Sequence, residues 1–247
     1  MQVSTNLKTA YANQYDTSAT AWRNLAAKHK AENIVALAKY IQFSNVLEVG
    51  AGEGSILNWL SQWHFSEQMY ALEISESGAA IIQSKNIANL KNVQIFDGYK
   101  IPYPDQYFDL VICSHVMEHV EHERTLLREI KRVSKYQIFE VPIDFSFYVD
   151  RKAAHYLAYG HINIYTPSLF RFLLKSEQFD IIADQCSFYK NEVLKYIYRD
   201  NQIKYVIAKS KQWILQLVPY LMGIKPNAYT VLTSATANSL DVFGKKE

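Results

Sequence analysis

Residues 46–54 read Val-Leu-Glu-Val-Gly-Ala-Gly-Glu-Gly: an apolar run broken by one acid, then glycines at 50, 52 and 54. The apolar part reads as a strand, and SILNWLSQWH (55–64) behind the glycines reads as a helix. Glycines at that junction let the backbone turn tightly and let a ligand approach closely. In an open α/β sheet, the crevice beyond the carboxyl ends of the strands is where ligands bind. A dinucleotide turn requires G-x-G-x-x-G, but that frame places Ser55 at the third glycine. The observed frame is E-x-G-x-G-x-G, and a carboxylate at Glu48 repels a pyrophosphate while suiting a positively charged ligand. The turn therefore favours a cationic nucleoside over a dinucleotide, with an empty tight connection as the alternative.

Working outward, short apolar runs alternate with helical patterns. Strands are expected at 46–49, 68–74, 92–96, 108–114 and 136–142, the last stopped by Pro142. Helices are expected at 55–64, from Ser77 to about Asn86, and at 122–133, with an earlier one over 19–41. Such alternation means βαβ units, a parallel sheet and helices on both faces. After Pro142 an aromatic-rich stretch reads as an irregular cap. Thr166-Pro167 then opens a helix, with Thr166 at its N-cap. Late strands are expected at 179–188 and 228–237, separated by a Lys- and Tyr-rich helical excursion over 189–224.

The 247 residues suit one embellished α/β domain, and 49% hydrophobic residues are ample for its core. A net charge of +2 gives no field that would draw in nucleic acid. Cys113 and Cys186 have neither disulfide-framework nor zinc-pair spacing. The N-terminus lacks the basic and apolar regions of a signal peptide. The longest apolar stretch, 213–224, falls short of the roughly 20 residues of a spanning helix, and contact with a membrane surface is the most it suggests. The chain reads as cytoplasmic.

Four segments in order carry a resemblance. The glycine turn is similar to the first motif of class I S-adenosylmethionine-dependent methyltransferases. YALEIS ends in Glu73-Ile74, VQIFDG in Asp97-Gly98, and IPYPDQYFDLVICSHVMEHV resembles the fourth-strand segment of the small-molecule, type 11-like branch. GHINIYTPSLFRFLLKSEQFDII resembles that branch's later Gly-His, Thr-Pro helix and sixth strand. The fold then expected is α/β: a Rossmann-like, doubly wound seven-stranded sheet, mostly parallel with an antiparallel last strand, N-terminal helices and a helical or irregular cap. Residues 1–44 would form a helical lead-in and lid. The S-adenosylmethionine-binding core would span 45–187 with its cap insertion at about 143–166, and 188–247 would supply the excursion and final strand.

The resemblance implies S-adenosylmethionine as donor and S-adenosylhomocysteine as product. It places Glu48 and the amides of Gly50, Gly52 and Gly54 at the methionine end, Glu73 and Ile74 at the ribose, and Asp97 and Gly98 at the adenine. Ser114 and His115 would touch the donor, and Tyr15 would cover its sulfonium through a cation–π contact. Histidine is the natural base near neutral pH, and His119, His161 and His155 are the acceptor-facing candidates. HVMEH (115–119) does not match a zinc HEXXH, whose glutamate directly follows the first histidine, and no metal is expected. The expected activity is methyl transfer to a small-molecule or saccharide acceptor, at oxygen if a histidine is the base. A NAD- or nucleotide-sugar-dependent enzyme and a non-catalytic methyltransferase-like binding subunit are the alternatives. The excursion reads as a solvated face, an acidic-acceptor site, or a lid or homodimer helix.

Overall fold

The computed structural model describes residues 20–217 and 226–235. Helix α1 (Thr20–Ala38) precedes strand β1 (Asn45–Val49), and α2 (Ser55–Gln62) follows the glycine turn. Next come β2 (Gln68–Glu73), α3 (Glu76–Ser84), β3 (Leu90–Ile95), β4 (Phe108–Ser114), α4 (Glu123–Val133) and β5 (Ser134–Pro142). The cap region is more regular than expected: a 3₁₀ turn, Val149–Lys152, runs into a short helix, α5 (Ala153–Ala158). Helix α6 (Pro167–Ser176) leads to β6 (Phe179–Ser187). The excursion divides into α7 (Asn191–Ile197) and α8 (Gln202–Leu217), and β7 is Ala228–Ala235. Tyr15 and the rest of residues 1–19 of the lead-in lie outside the described residues.

The seven strands are ordered β3-β2-β1-β4-β5-β7-β6. β1 is parallel to β2 and β4, β2 to β3, and β4 to β5, while β7 is antiparallel to both neighbours. From β1 the chain winds outward to β3, then returns across β1 to begin the other half with β4. The direction of winding therefore reverses between β1 and β4, which leaves a crevice at their carboxyl ends.

Both faces of the sheet are covered, so strand side chains alternate between two apolar layers. Leu47, Val49, Val111 and Phe139 pack on the α4 and α6 side with Leu127, Ile130 and Phe170. Val46, Ile112 and Ile138 pack on the other side with Ile34 of α1, Leu57 of α2 and Ile82 of α3. Glu48 belongs by this alternation to the α1 side, where a carboxylate replaces an apolar side chain.

Local signals fix the ends of these elements. The Thr166 hydroxyl accepts from Leu169 N at 3.1 Å, with Pro167 in the first turn of α6. Asp109 ties β4 to the start of β1: its Oδ2 accepts from Ser44 N and Asn45 N at 3.1 and 3.2 Å, and its Oδ1 from Lys135 Nζ at 2.9 Å. These donors overcome the cost of burial and hold its carboxyl at about 2. Among the described residues, no helix is long and apolar enough to cross a membrane.

Candidate active site

The first cavity, about 320 Å³, opens at the crevice between β1 and β4. Gly50, Gly52 and Gly54 have φ of +72°, +60° and +73°, a left-handed run that side chains with a Cβ tolerate poorly. Their roles separate. Gly50 and Gly52 line the cavity; Gly54 does not, and a Cβ there would meet Ile82 at 3.0 Å. Gly54 lets α2 start directly against α3. A Cβ at Gly50 would fall 2.4 Å from Val116, so that glycine also seats the loop after β4.

Glu73 is buried at the end of β2. Its Oε2 accepts from Gly52 N at 2.8 Å and its Oε1 from Ser75 N at 3.0 Å. Each oxygen keeps a further acceptor site, and the carboxylate borders the cavity beside Ile74. Phe96, Gly98 and Tyr99 form the wall beyond it. Asp97 turns one oxygen back to its own loop: Oδ1 accepts from Tyr99 N at 2.9 Å and Lys100 N at 2.7 Å. Ser114 and His115 close the wall at the end of β4.

Three buried carboxylates meet where β1, β4 and β5 end, and their environments differ. Glu48 Oε2 has no hydrogen-bond partner, and burial, opposed by Lys30, pushes its pKa up to about 8. An orphaned carboxylate oxygen on a cavity wall is suited to an ammonium. Glu118 is also desolvated, but His115 and His119 beside it outweigh burial and hold it at about 2. Glu140 lies below its usual value: burial is overcome by His115, Lys30 and a bond from Asn33 Nδ2 at 2.9 Å. His115 Nδ1 is 3.4 Å from Glu118 Oε1, and its Nε2 is 3.3 Å from Glu140 Oε1. Burial disfavours the imidazolium, yet these two carboxylates raise its pKa.

A second cavity, about 480 Å³, adjoins the first. Trp22, Ala26 and Lys30 of α1, together with His115, line both. Its other walls include Glu140, Asp144, His155, Tyr156, Tyr159, His161 and Tyr189. His161 Nδ1 lies 2.7 Å from Asp144 Oδ2, and the Tyr156 hydroxyl donates to Asp144 O at 2.7 Å. His119 lines the first cavity and not the second; its Nδ1 lies 2.9 Å from Gly160 O, and its ring meets that of His161 edge-on at 4.9 Å. His155 is exposed beside Tyr156 and Tyr159. The lysines of α8 are exposed, and none lines this cavity.

Several site residues escaped the sequence reading. Lys30 gives no sign, because a lysine on an amphipathic helix is normally solvated. Glu140 does give one: in YQIFEVP it interrupts an apolar strand just as Glu48 does. Asp144 is marked only by its contact with His161, seventeen residues along the chain.

Comparison with known proteins agrees with this geometry. Residues 47–137 match a family described as methyltransferase domain. A ubiquinone/menaquinone biosynthesis C-methyltransferase of Cupriavidus taiwanensis is 30% identical over 93 residues, 36% of this chain and 38% of that protein. Ajmaline N-methyltransferase of Rauvolfia serpentina is 29% identical over 94 residues, 36% of this chain and 32% of the relative. The matched segments thus span roughly a third of those relatives' lengths. The structure of magnesium protoporphyrin IX methyltransferase from Synechocystis PCC 6803, with bound S-adenosylhomocysteine, aligns with a TM-score of 0.57 at 14% identity, over 92% of both chains. The sheet order and the matched residues agree: residues 47–137 form a segment similar to the methyltransferase domain of class I S-adenosylmethionine-dependent enzymes.

Proposed function

We propose that the first cavity holds S-adenosylmethionine and that the second holds a small-molecule or saccharide acceptor, methylated at a hydroxyl. The observation that carries this reading is the shared wall: His115 and Lys30 border both cavities, so a donor in one and an acceptor in the other meet there. When bound, the donor supplies an electrophilic methyl on a sulfonium that leaves as a neutral thioether.

The chain's own groups do the rest. Glu48 receives the ammonium, its orphaned oxygen being the fitting partner. Glu73, held by the Gly52 and Ser75 amides, accepts from the ribose hydroxyls. Such preorganisation can contribute on the order of 7–11 kcal/mol to a bimolecular transfer. The histidine pair His119 and His161 governs the acceptor's proton, with Asp144 orienting the His161 ring. A positioned base adds roughly 10²–10⁴-fold. Exposed His155 has no comparable orienting carboxylate and borders the acceptor's entry. The named relatives methylate carbon in one case and nitrogen in the other, so oxygen rests on the histidine pair alone.

Incubation with S-adenosylmethionine labelled in the methyl group and a panel of sugars and hydroxylated metabolites tests the reading. Labelled product together with S-adenosylhomocysteine supports it. If the protein fails to bind S-adenosylhomocysteine by calorimetry, or binds NAD more tightly, the reading falls.

A further inference from the structure

We infer that Glu118, His119 and His161 form a site for one divalent cation of the first transition series, at the wall between the two cavities. This rests on the reading of the second cavity as the acceptor site and deepens it. One ligand atom from each of the three residues lies within 4.8 Å of the others. The Glu118 Oε1 to His119 Nε2 separation is 3.7 Å, close to the roughly 3.4 Å between ligands around tetrahedral zinc. The remaining ligand separations, within 4.8 Å, exceed that spacing by at most about 1.4 Å.

The surroundings of the two rings support this assignment independently. A carbonyl only accepts, so the Gly160 oxygen requires His119 to carry its proton on Nδ1. The Asp144 carboxylate sets the same tautomer at His161. In the neutral rings both Nε2 atoms are then electron-pair donors, and that of His119 lies 3.7 Å from Glu118 Oε1. Metal-ligating histidines characteristically donate their second N–H to a carbonyl or a carboxylate, and this site has one of each. The third observation is Glu118 itself: 1% exposed, and with neither carboxylate oxygen in a hydrogen bond. Buried charges without hydrogen bonds are costly and call for a countercharge. His115 answers part of that demand from 3.4 Å. Two imidazoles and one carboxylate suit zinc, manganese, iron or cobalt rather than magnesium or calcium, which prefer oxygen ligands.

The position gives the cation a task. With three protein ligands, coordination sites remain for an oxygen from the second cavity. An acceptor hydroxyl bound there loses its proton to water at a lower pH than it does free, as metal-bound water does, and the resulting alkoxide is the nucleophile. The two rings then govern the acceptor's proton as ligands of the cation, in place of the direct base role they have without it. HVMEH alone could not reveal this set, because the second imidazole comes from His161, on the far side of the cap.

The test is titration of the metal-stripped full chain with Co²⁺, read by visible absorption and by calorimetry. One Co²⁺ per chain with d–d bands is expected, displaced by Zn²⁺. Glu118→Gln and His161→Ala should each weaken binding at least about 100-fold, and Asp144→Asn about 10–100-fold. His122→Ala, on the surface, should leave binding unchanged. Thermal unfolding and S-adenosylhomocysteine affinity verify that each variant is folded. Absence of stoichiometric binding, or binding unaltered in folded Glu118→Gln and His161→Ala, overturns the inference. Methyl transfer that proceeds undiminished under a strong chelator also overturns it while leaving the donor and acceptor assignments standing. Loss of donor binding would instead strike those assignments.

Discussion

The backbone amide of Gly52 donates to Glu73 Oε2 at 2.8 Å, tying the glycine turn to the acid at the end of the second strand. The proposed ribose site is thus tied to the glycine turn by a bond that exists without ligand. Glu73→Ala should weaken S-adenosylhomocysteine binding about 10–100-fold, the worth of hydrogen bonds to a charged group. Glu73→Gln, which keeps an acceptor for Gly52 N, should lose less. Calorimetric titration reads both, and equal affinity in all three proteins would remove Glu73 from the donor site.

The glycines should divide by function. Gly54→Ala places a methyl 3.0 Å from Ile82 at a φ of +73°, and the left-handed backbone alone costs about 1–2 kcal/mol. Its thermal midpoint should fall by several degrees while donor affinity changes little. Gly52→Ala pays a similar backbone cost, but its methyl lies beside the donor cavity. Its affinity should fall more than its stability does. The reverse pattern would contradict the assignment of Gly54 to the contact between α2 and α3.

Glu48 should make stability and donor binding respond to pH in opposite senses. Its folded pKa is raised from 4.5 to about 8, chiefly by burial. An acid shifted upward stabilises the fold while protonated, and that contribution is lost as pH rises from about 5 through 8. Glu48→Gln should flatten this slope in the thermal midpoint. The ionised carboxylate, by contrast, is the form that pairs with the donor's ammonium. Affinity should therefore rise between pH 6 and 8 in the native chain with release of a proton, measurable as a buffer-dependent binding heat. Both effects should vanish together in the variant.

Histidine tautomers offer a test that needs no acceptor. In their neutral form, His119 and His161 should both carry the proton on Nδ1, read from ¹⁵N shifts in a histidine-labelled sample. Asp144→Asn should disturb His161 while leaving donor affinity near the native value, since Asp144 borders only the second cavity. An unchanged His161 spectrum would mean that the carboxylate does not orient the ring.

The linear order of the chain determined the wall of the first cavity, the proposed donor site. VLEVGAGEG places an acid, a turn and a helix start within nine residues, and left-handed backbone at 50, 52 and 54 demands glycine whatever the rest of the fold does. That Glu73 and Gly98 border the first cavity was legible because, in parallel βαβ units, strand ends recur at one edge of the sheet, so position in the alternation gives position at the crevice. That Gly54 packs on Ile82, and that Asp97 holds its own loop, required neighbours in space. The second cavity, the proposed acceptor site, was decided by tertiary structure alone. Lys30 from the first helix, Glu140 from β5, and Asp144 and His161 from the cap reach one wall only because the helix and the cap fold over the same strand ends. No periodicity records that approach. Buried charge is settled by whichever groups desolvate together, and three glutamates of identical chemistry end up with pKa values pulled in different directions.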